Sequence, residues 1–144
     1  MSNLEFTEIL EIEKENIMTA CQEYEKYPEY LPDQLPSVKI IKNDSHGITT
    51  EETIALRTLV KNEIKQSSFH QKINQNMLKT TIISGPAKNS IIEITFEELS
   101  DSKTKVHVSI DLKLTFAAKF LSPIFKVWYK RILLAILYKM MNNK

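Results

Sequence analysis

Apolar and polar residues alternate along most of the middle of the chain, and the alternation is cleanest over residues 105–116. There Val106, Val108, Ile110, Leu112, Leu114 and Phe116 interleave with Lys105, His107, Ser109, Asp111, Lys113 and Thr115, the period-two signature of a strand with one dry face. The same period predicts strands over 38–43, 50–60 (Ile54, Leu56, Thr58 and Val60 on one side), 63–73 (Phe69, Gln71 and Ile73 of one parity), 77–84 and 90–99. Turn-forming clusters separate them: Asn43-Asp-Ser-His-Gly47, Gly85-Pro86 and Asp101-Ser-Lys103. A further strand is predicted over 4–12, with Leu4, Phe6, Leu10 and Ile12 of one parity and Glu8 interrupting them.

Helical spacing takes over in two places. Residues 15–26 predict a short helix with Asn16 as N-cap and a stripe of Ile17, Ala20, Cys21 and Tyr24. Prolines 28, 32 and 36 then restrict residues 27–36 to a loop with at most a short helical turn. Residues 118–141 predict a long helix, with Pro123 tolerated in its first turn or marking a start near Ser122. Ala117, Leu121, Ile124, Phe125, Trp128, Ile132, Ala135 and Ile136 form its apolar sector, and Lys119, Lys126 and Lys130 lie opposite. The fold class expected is α+β. About seven antiparallel strands form a curved sheet around one long C-terminal helix, two short helices follow the first strand, and residues 1–144 make a single domain. Such a curved sheet leaves space beneath the helix, a usual place for a ligand.

Composition sharpens this picture. The 144 residues carry 19 basic and 18 acidic side chains, yet the seven basic and no acidic residues after 111 oppose a net negative charge before it. Two glycines exclude a phosphate-binding glycine loop, and one cysteine excludes a disulfide framework. The N-terminus lacks the basic stretch and apolar run of a signal peptide. Lysines and an arginine interrupt the apolar C-terminal segment, so a soluble, cytoplasmic protein is expected.

Candidate chemistry is sparse. His46, His70 and His107 are far apart in sequence with no ligand spacing, so no metal and no cofactor is expected. His70 is a candidate general base, with a surface position favoured for it. Cys21 reads as a buried, inert thiol. The pairs Glu51-Glu52 and Glu97-Glu98 read as solvated edges. Arg131 falls inside the apolar sector of the helix. It either meets a ligand oxygen, meets a carboxylate such as Glu8, or stands in water where the helix clears the sheet, the reading favoured. Lys119, Lys126 and Lys130 are candidates for docking on an anionic surface. A membrane ranks above RNA or a ribosome, because the chain has only two arginines, Arg57 and Arg131.

The order of elements, with three local strings, resembles the START-like, helix-grip superfamily, nearest its polyketide cyclase/dehydrase and coenzyme Q-binding families. Tyr27-Pro-Glu-Tyr-Leu-Pro-Asp-Gln-Leu-Pro-Ser-Val-Lys39 is similar to the segment leading from the short helices into the second strand. Ser68-Phe-His-Gln-Lys-Ile73 is similar to the central strand. Ser84-Gly-Pro-Ala-Lys88 is similar to the turn before the strand that in the family ends Trp-x-Phe, with Ile94 here at the tryptophan position. The resemblance implies a cavity for a hydrophobic small molecule such as a lipid or quinone. The inward residues Leu56, Ile82, Ile92, Ile94, Phe96, Val108, Ile110 and Leu112 of the sheet and Leu121, Ile124, Phe125, Trp128 and Arg131 of the helix would line it. Binding is favoured over catalysis. The alternatives are a cyclase- or dehydratase-like enzyme and a ribosome- or membrane-docking module.

Overall fold

The computed structural model describes residues 4–55, 63–116, 119 and 122–142. Strand β1 (Leu4–Leu10) leads through helix α1 (Lys14–Cys21), a 3₁₀ turn (Tyr24–Lys26) and helix α2 (Tyr27–Tyr30) into six consecutive strands. These are β2 (Ser37–Asp44), β3 (Gly47–Ala55), β4 (Glu63–Asn74), β5 (Met77–Ser84), β6 (Ile91–Ser100) and β7 (Lys103–Asp111), and helix α3 (Ser122–Asn142) follows. The sheet order is β1-β7-β6-β5-β4-β3-β2, with every pair antiparallel. The result is the curved seven-stranded sheet around a C-terminal helix expected from the alternation. The segment from α1 to α2 carries the chain from one sheet edge to the other.

Register explains how the core assembles. Phe6 faces Val108 across the β1–β7 pair, and Val108 faces Ile94 across the β6–β7 pair. Even-numbered residues of these strands therefore share the face turned to α3. Leu10, Phe96, Val106, Val108 and Ile110 are almost fully buried there, packed with Ile17 and Met18 of α1 and Phe125, Ile132 and Ile136 of α3. A smaller cluster of Tyr24, Leu35, Val38 and Ile54 forms under the β2–β3 side. No helix among the described residues is long and apolar enough to cross a membrane.

The first helix and the last strand differ from their sequence expectation. The helix expected over 15–26 starts at Lys14 and ends at Cys21, because extended Glu13 rather than Asn16 occupies the N-cap position. At its other end the Tyr27 hydroxyl donates to the Cys21 carbonyl, one of the orphan acceptors of a helix C-terminus. The strand expected to reach Phe116 ends at Asp111. Ser90 accepts from the Lys113 amide (2.8 Å) and its hydroxyl donates to the Lys113 carbonyl (3.0 Å), so a side chain replaces the next ladder step. Beyond it Phe116 is 92% exposed. Helix α3 runs from Ser122, the later of the two starts the sequence offers, with Pro123 in the first turn where its missing amide costs nothing.

Candidate functional site

The face of the sheet turned to α3 is apolar on β6, mostly apolar on β5 and mostly polar on β3 and β4. On β3 it presents Thr50, Glu52 and Ile54, on β4 Gln66, Ser68 and His70, on β5 Leu78, Thr80 and Ile82, and on β6 Ile92 and Ile94. Pairing sets Thr50 opposite Ser68, Glu52 opposite Gln66, and His70 opposite Thr80, so the polar side chains lie side by side across three strands. Trp128, Tyr129, Ile132, Leu133 and Ile136, spaced to share one helix face, cover them from α3. Tyr24 and Tyr27 close the side toward the short helices. Between these walls lies a cavity of about 110 Å³.

The polar side chains form one connected row. The Glu52 carboxylate accepts from the Ser68 hydroxyl (2.6 Å) and the Gln66 amide nitrogen (3.0 Å) at Oε1, and from the Thr50 hydroxyl at Oε2. The Gln66 carbonyl oxygen in turn accepts from the Tyr129 hydroxyl at 3.1 Å, which fixes the orientation of that amide. Thr50 Oγ1 lies 2.8 Å from Nε2 of His70, and Nδ1 of His70 lies 2.7 Å from Thr80 Oγ1. Thr50 has one hydroxyl proton. If it goes to Glu52, then His70 Nε2 must carry a proton and donate to Thr50, and Thr80 must donate to Nδ1. The His70 ring also stacks on Tyr24, with centroids 3.9 Å apart and planes at 16°. Among the described residues no buried side-chain nitrogen or oxygen lacks a partner.

Burial sets the proton chemistry. It drives the His70 imidazole from its ordinary 6.5 down to about 4, so the ring is neutral at physiological pH. Burial also raises the Glu52 carboxyl above its usual range, while Ser68, Thr50 and Gln66 pull it back down. The Tyr129 phenol is raised by desolvation and stays protonated. Burial pushes the Cys21 thiol up to about 12, which makes it a poor nucleophile. Among the described residues no group of three or more His, Cys, Asp or Glu is placed to hold a metal ion.

The residues proposed from sequence separate into groups. Ile82, Ile92, Ile94 and Trp128 line the cavity, and the Trp128 indole donates to the Ala55 carbonyl at 3.3 Å. Phe96, Val108, Ile110, Leu112 and Phe125 are buried in the packed core away from it. Ile124 is half-buried and Arg131 exposed, neither among the lining residues. Glu8 meets the Tyr138 hydroxyl, and Lys139 donates to the Tyr30 carbonyl. Lys119 and Lys130 are exposed and Lys126 half-exposed. Leu56 and Leu121 lie outside the described residues.

Two readings are corrected. Glu52 is not a solvated edge residue: it is 8% exposed and faces the cavity. His70 is not on the surface: it lies inside, between Thr50, Thr80 and Tyr24. Thr50, Gln66, Ser68, Thr80 and Tyr129 also line the cavity and are not among the candidates the sequence singles out. The signal for β3 was present, because the parity that put Ile54 and Leu56 inward also puts Glu52 and Thr50 inward.

Comparison with known proteins agrees with this geometry. A family model described as polyketide cyclase / dehydrase and lipid transport matches residues 10–141. No curated protein sequence matches. Among solved structures, the Zhui aromatase/cyclase from a Streptomyces species superposes with a TM-score of 0.79 at 10% identity, covering 97% of this chain and 91% of that one. A Thermus thermophilus protein gives a TM-score of 0.77 at 10% identity, with 96% and 94% covered. A START superfamily protein from Mycobacterium smegmatis gives 0.76 at 12% identity, with 98% of both chains covered. At these identities the structures speak for the fold, whereas the family model spans nearly the whole sequence: the chain belongs to the polyketide cyclase / dehydrase and lipid transport family, within the START-like helix-grip superfamily.

Proposed function

We propose that the chain binds a small, largely apolar molecule in the cavity between its sheet and α3, and that the row from Thr80 to Tyr129 orients one polar group of that molecule. The observation carrying this reading is the cavity's division into an apolar side (Ile82, Ile92, Ile94, Ile132, Ile136) and a hydrogen-bonded polar side ending on Glu52. Burial of ligand carbon supplies affinity at about 25 cal/mol per Å², and the polar row supplies orientation. A cavity of about 110 Å³ is well below the roughly 300 Å³ at which pockets for drug-sized ligands begin. It suits a molecule of about one ring, and a lipid or quinone would enter only if α3 and the sheet moved apart. Lipid transport in the family description and the aromatase/cyclase among the similar structures support a hydrophobic ligand as the class.

The test is thermal unfolding together with native mass spectrometry, over a panel of single-ring neutral aromatics, fatty acids and quinones. A ligand present at 100 times its Kd stabilises a fold by about 2.7 kcal/mol, a shift of several degrees. Ile94→Phe, which adds bulk inside the cavity, is expected to remove the shift. The absence of any shift from every member of the panel would count against the reading.

A second reading, acid–base catalysis on the bound molecule, is favoured by one observation: Glu52 and His70 share the Thr50 hydroxyl within the cavity wall. It requires turnover that Glu52→Gln abolishes while ligand binding persists. Peripheral contact with an anionic membrane accompanies the binding reading. Exposed Phe116 and Val127, near Lys119 and Lys130, are its support, and reversing the charge of Lys119, Lys126 and Lys130 is expected to lower co-sedimentation with anionic vesicles.

A further inference from the structure

The polar row centres on a buried carboxyl group that meets no positively charged side chain among the described residues. The Glu52 carboxylate is 8% exposed, and all three of its hydrogen bonds come from neutral donors, Thr50, Gln66 and Ser68. Among the described residues lining the cavity there is no lysine or arginine. Lys65, on the neighbouring strand, donates to Thr53 instead at 2.8 Å. His70, the one basic side chain in the row, is held neutral by burial. Glu51 is the acidic neighbour whose charge acts on Glu52, and it is repulsive.

Ser68, Gln66 and Thr50, donating together to one carboxyl group, stabilise its anion against the burial that favours the acid. A carboxylate offers about four acceptor positions and three are taken, so Oε2 retains one beside the Thr50 bond. Aromatic rings surround the same space. Tyr24 and Tyr27 meet edge to face at 5.8 Å, and Trp128 and Tyr129 do so at 5.1 Å. A ring face attracts a cation, and most strongly where water is excluded. A buried anion within aromatic walls complements a cation on an apolar body.

We infer that the molecule bound in this cavity is a hydrophobic amine, its ammonium group against Oε2 of Glu52 and its apolar body against the aromatic and aliphatic walls. The inference rests on the ligand-binding reading and narrows it to a charge class. Thr50, Gln66 and Ser68 then act as positioning residues that hold the carboxylate toward the cavity, and neutral His70 leaves the carboxylate's charge to the ligand.

Three probes with the same ring and differing in charge test this on the intact protein: phenethylamine, phenethyl alcohol and hydrocinnamate. Calorimetric titration near neutral pH is expected to rank the amine about 10-fold or more tighter than the alcohol, the size of a charge-assisted hydrogen bond, with the carboxylate weakest. In Glu52→Gln, checked for folding by circular dichroism, the amine is expected to fall to the level of the alcohol. The series on the unaltered protein decides the matter if that variant does not fold. If the alcohol binds and the amine binds no tighter, the amine inference fails and the ligand-binding reading stands. If none of the three binds, the amine inference fails, and the wider panel of fatty acids, quinones and neutral aromatics decides the ligand-binding reading. An amine preference that survives in folded Glu52→Gln overturns the assignment to Glu52.

Discussion

Thr50 joins His70 to Glu52: its hydroxyl oxygen lies 2.8 Å from Nε2 of the imidazole and donates to the carboxylate two residues along the same strand. Two titratable groups on neighbouring strands thus share one proton-carrying oxygen. The state of either constrains the other, and this coupling inside an otherwise apolar fold makes the site testable by pH as well as by ligand.

The first expectation concerns stability. The His70 imidazole ionises at about 4 in the fold against an ordinary 6.5, so between those values the unfolded chain binds a proton that the folded chain refuses. His70 therefore contributes stability that is complete above 6.5 and is lost as pH falls toward about 4. The difference corresponds to about 3 kcal/mol. Glu52, raised by burial, acts in the opposite direction, its contribution fading as pH rises. Denaturant titrations across this range are expected to show a shallower acid loss in His70→Gln than in the parent, and parallel curves would refute the burial of a neutral imidazole.

Ser68 gives a second expectation. Its hydroxyl donates to Glu52 Oε1 at 2.6 Å and favours the ionised carboxyl. Ser68→Ala should destabilise the fold by about 1.5–3 kcal/mol in mildly alkaline buffer, the range for a hydrogen bond to a charged group. The loss should shrink in acid, where the carboxyl becomes protonated. An equal loss at both extremes would mean that Glu52 carries no charge in the fold.

Most of the fold was legible because strand alternation and helical spacing are set by burial, the largest energy involved. Val106, Val108 and Ile110 could not alternate as they do without one dry face. The site was less legible for the same reason. Reasoning that seeks apolar residues inside finds Ile82, Ile92 and Ile94 and passes over Glu52, Ser68 and His70, which are buried against the usual cost and held there by one another. No residue of the row has a satisfied environment alone, so a reading of single residues assigns each to solvent. Nor could spacing separate lining from core: Ile94 and Val108 are paired across β6–β7, yet only Ile94 borders the cavity.

A third expectation concerns the turn between β5 and β6. Gly85 has φ +101°, and a Cβ there would stand 2.9 Å from the Lys65 carbonyl oxygen and 3.4 Å from Cα of Gln66. Both the dihedral and the contact oppose a side chain, so Gly85→Ala should cost about 1–3 kcal/mol. The strained contact is with the strand that carries Gln66, whose amide holds Glu52. The variant should therefore also weaken ligand-induced stabilisation beyond what its lower melting temperature explains, and unchanged stability would show that the turn relaxes freely.

The last expectation concerns where the His70 proton sits. With Glu52 ionised, Thr50 donates to the carboxylate, Nε2–H donates to Thr50, and Thr80 donates to Nδ1. Nitrogen-15 NMR of the imidazole near neutral pH should find the Nε2–H tautomer. Glu52→Gln should reverse it. Ser68 and Gln66 both donate to the Oε1 position, so the oxygen of the new amide must remain there and its nitrogen must take the Oε2 position facing Thr50. That nitrogen donates to Thr50, Thr50 then donates to Nε2, and Nδ1–H donates to Thr80. A proton moved across the ring by a substitution on the next strand would demonstrate the coupling directly. An unchanged tautomer in the folded variant would show that Thr50 does not connect the two groups.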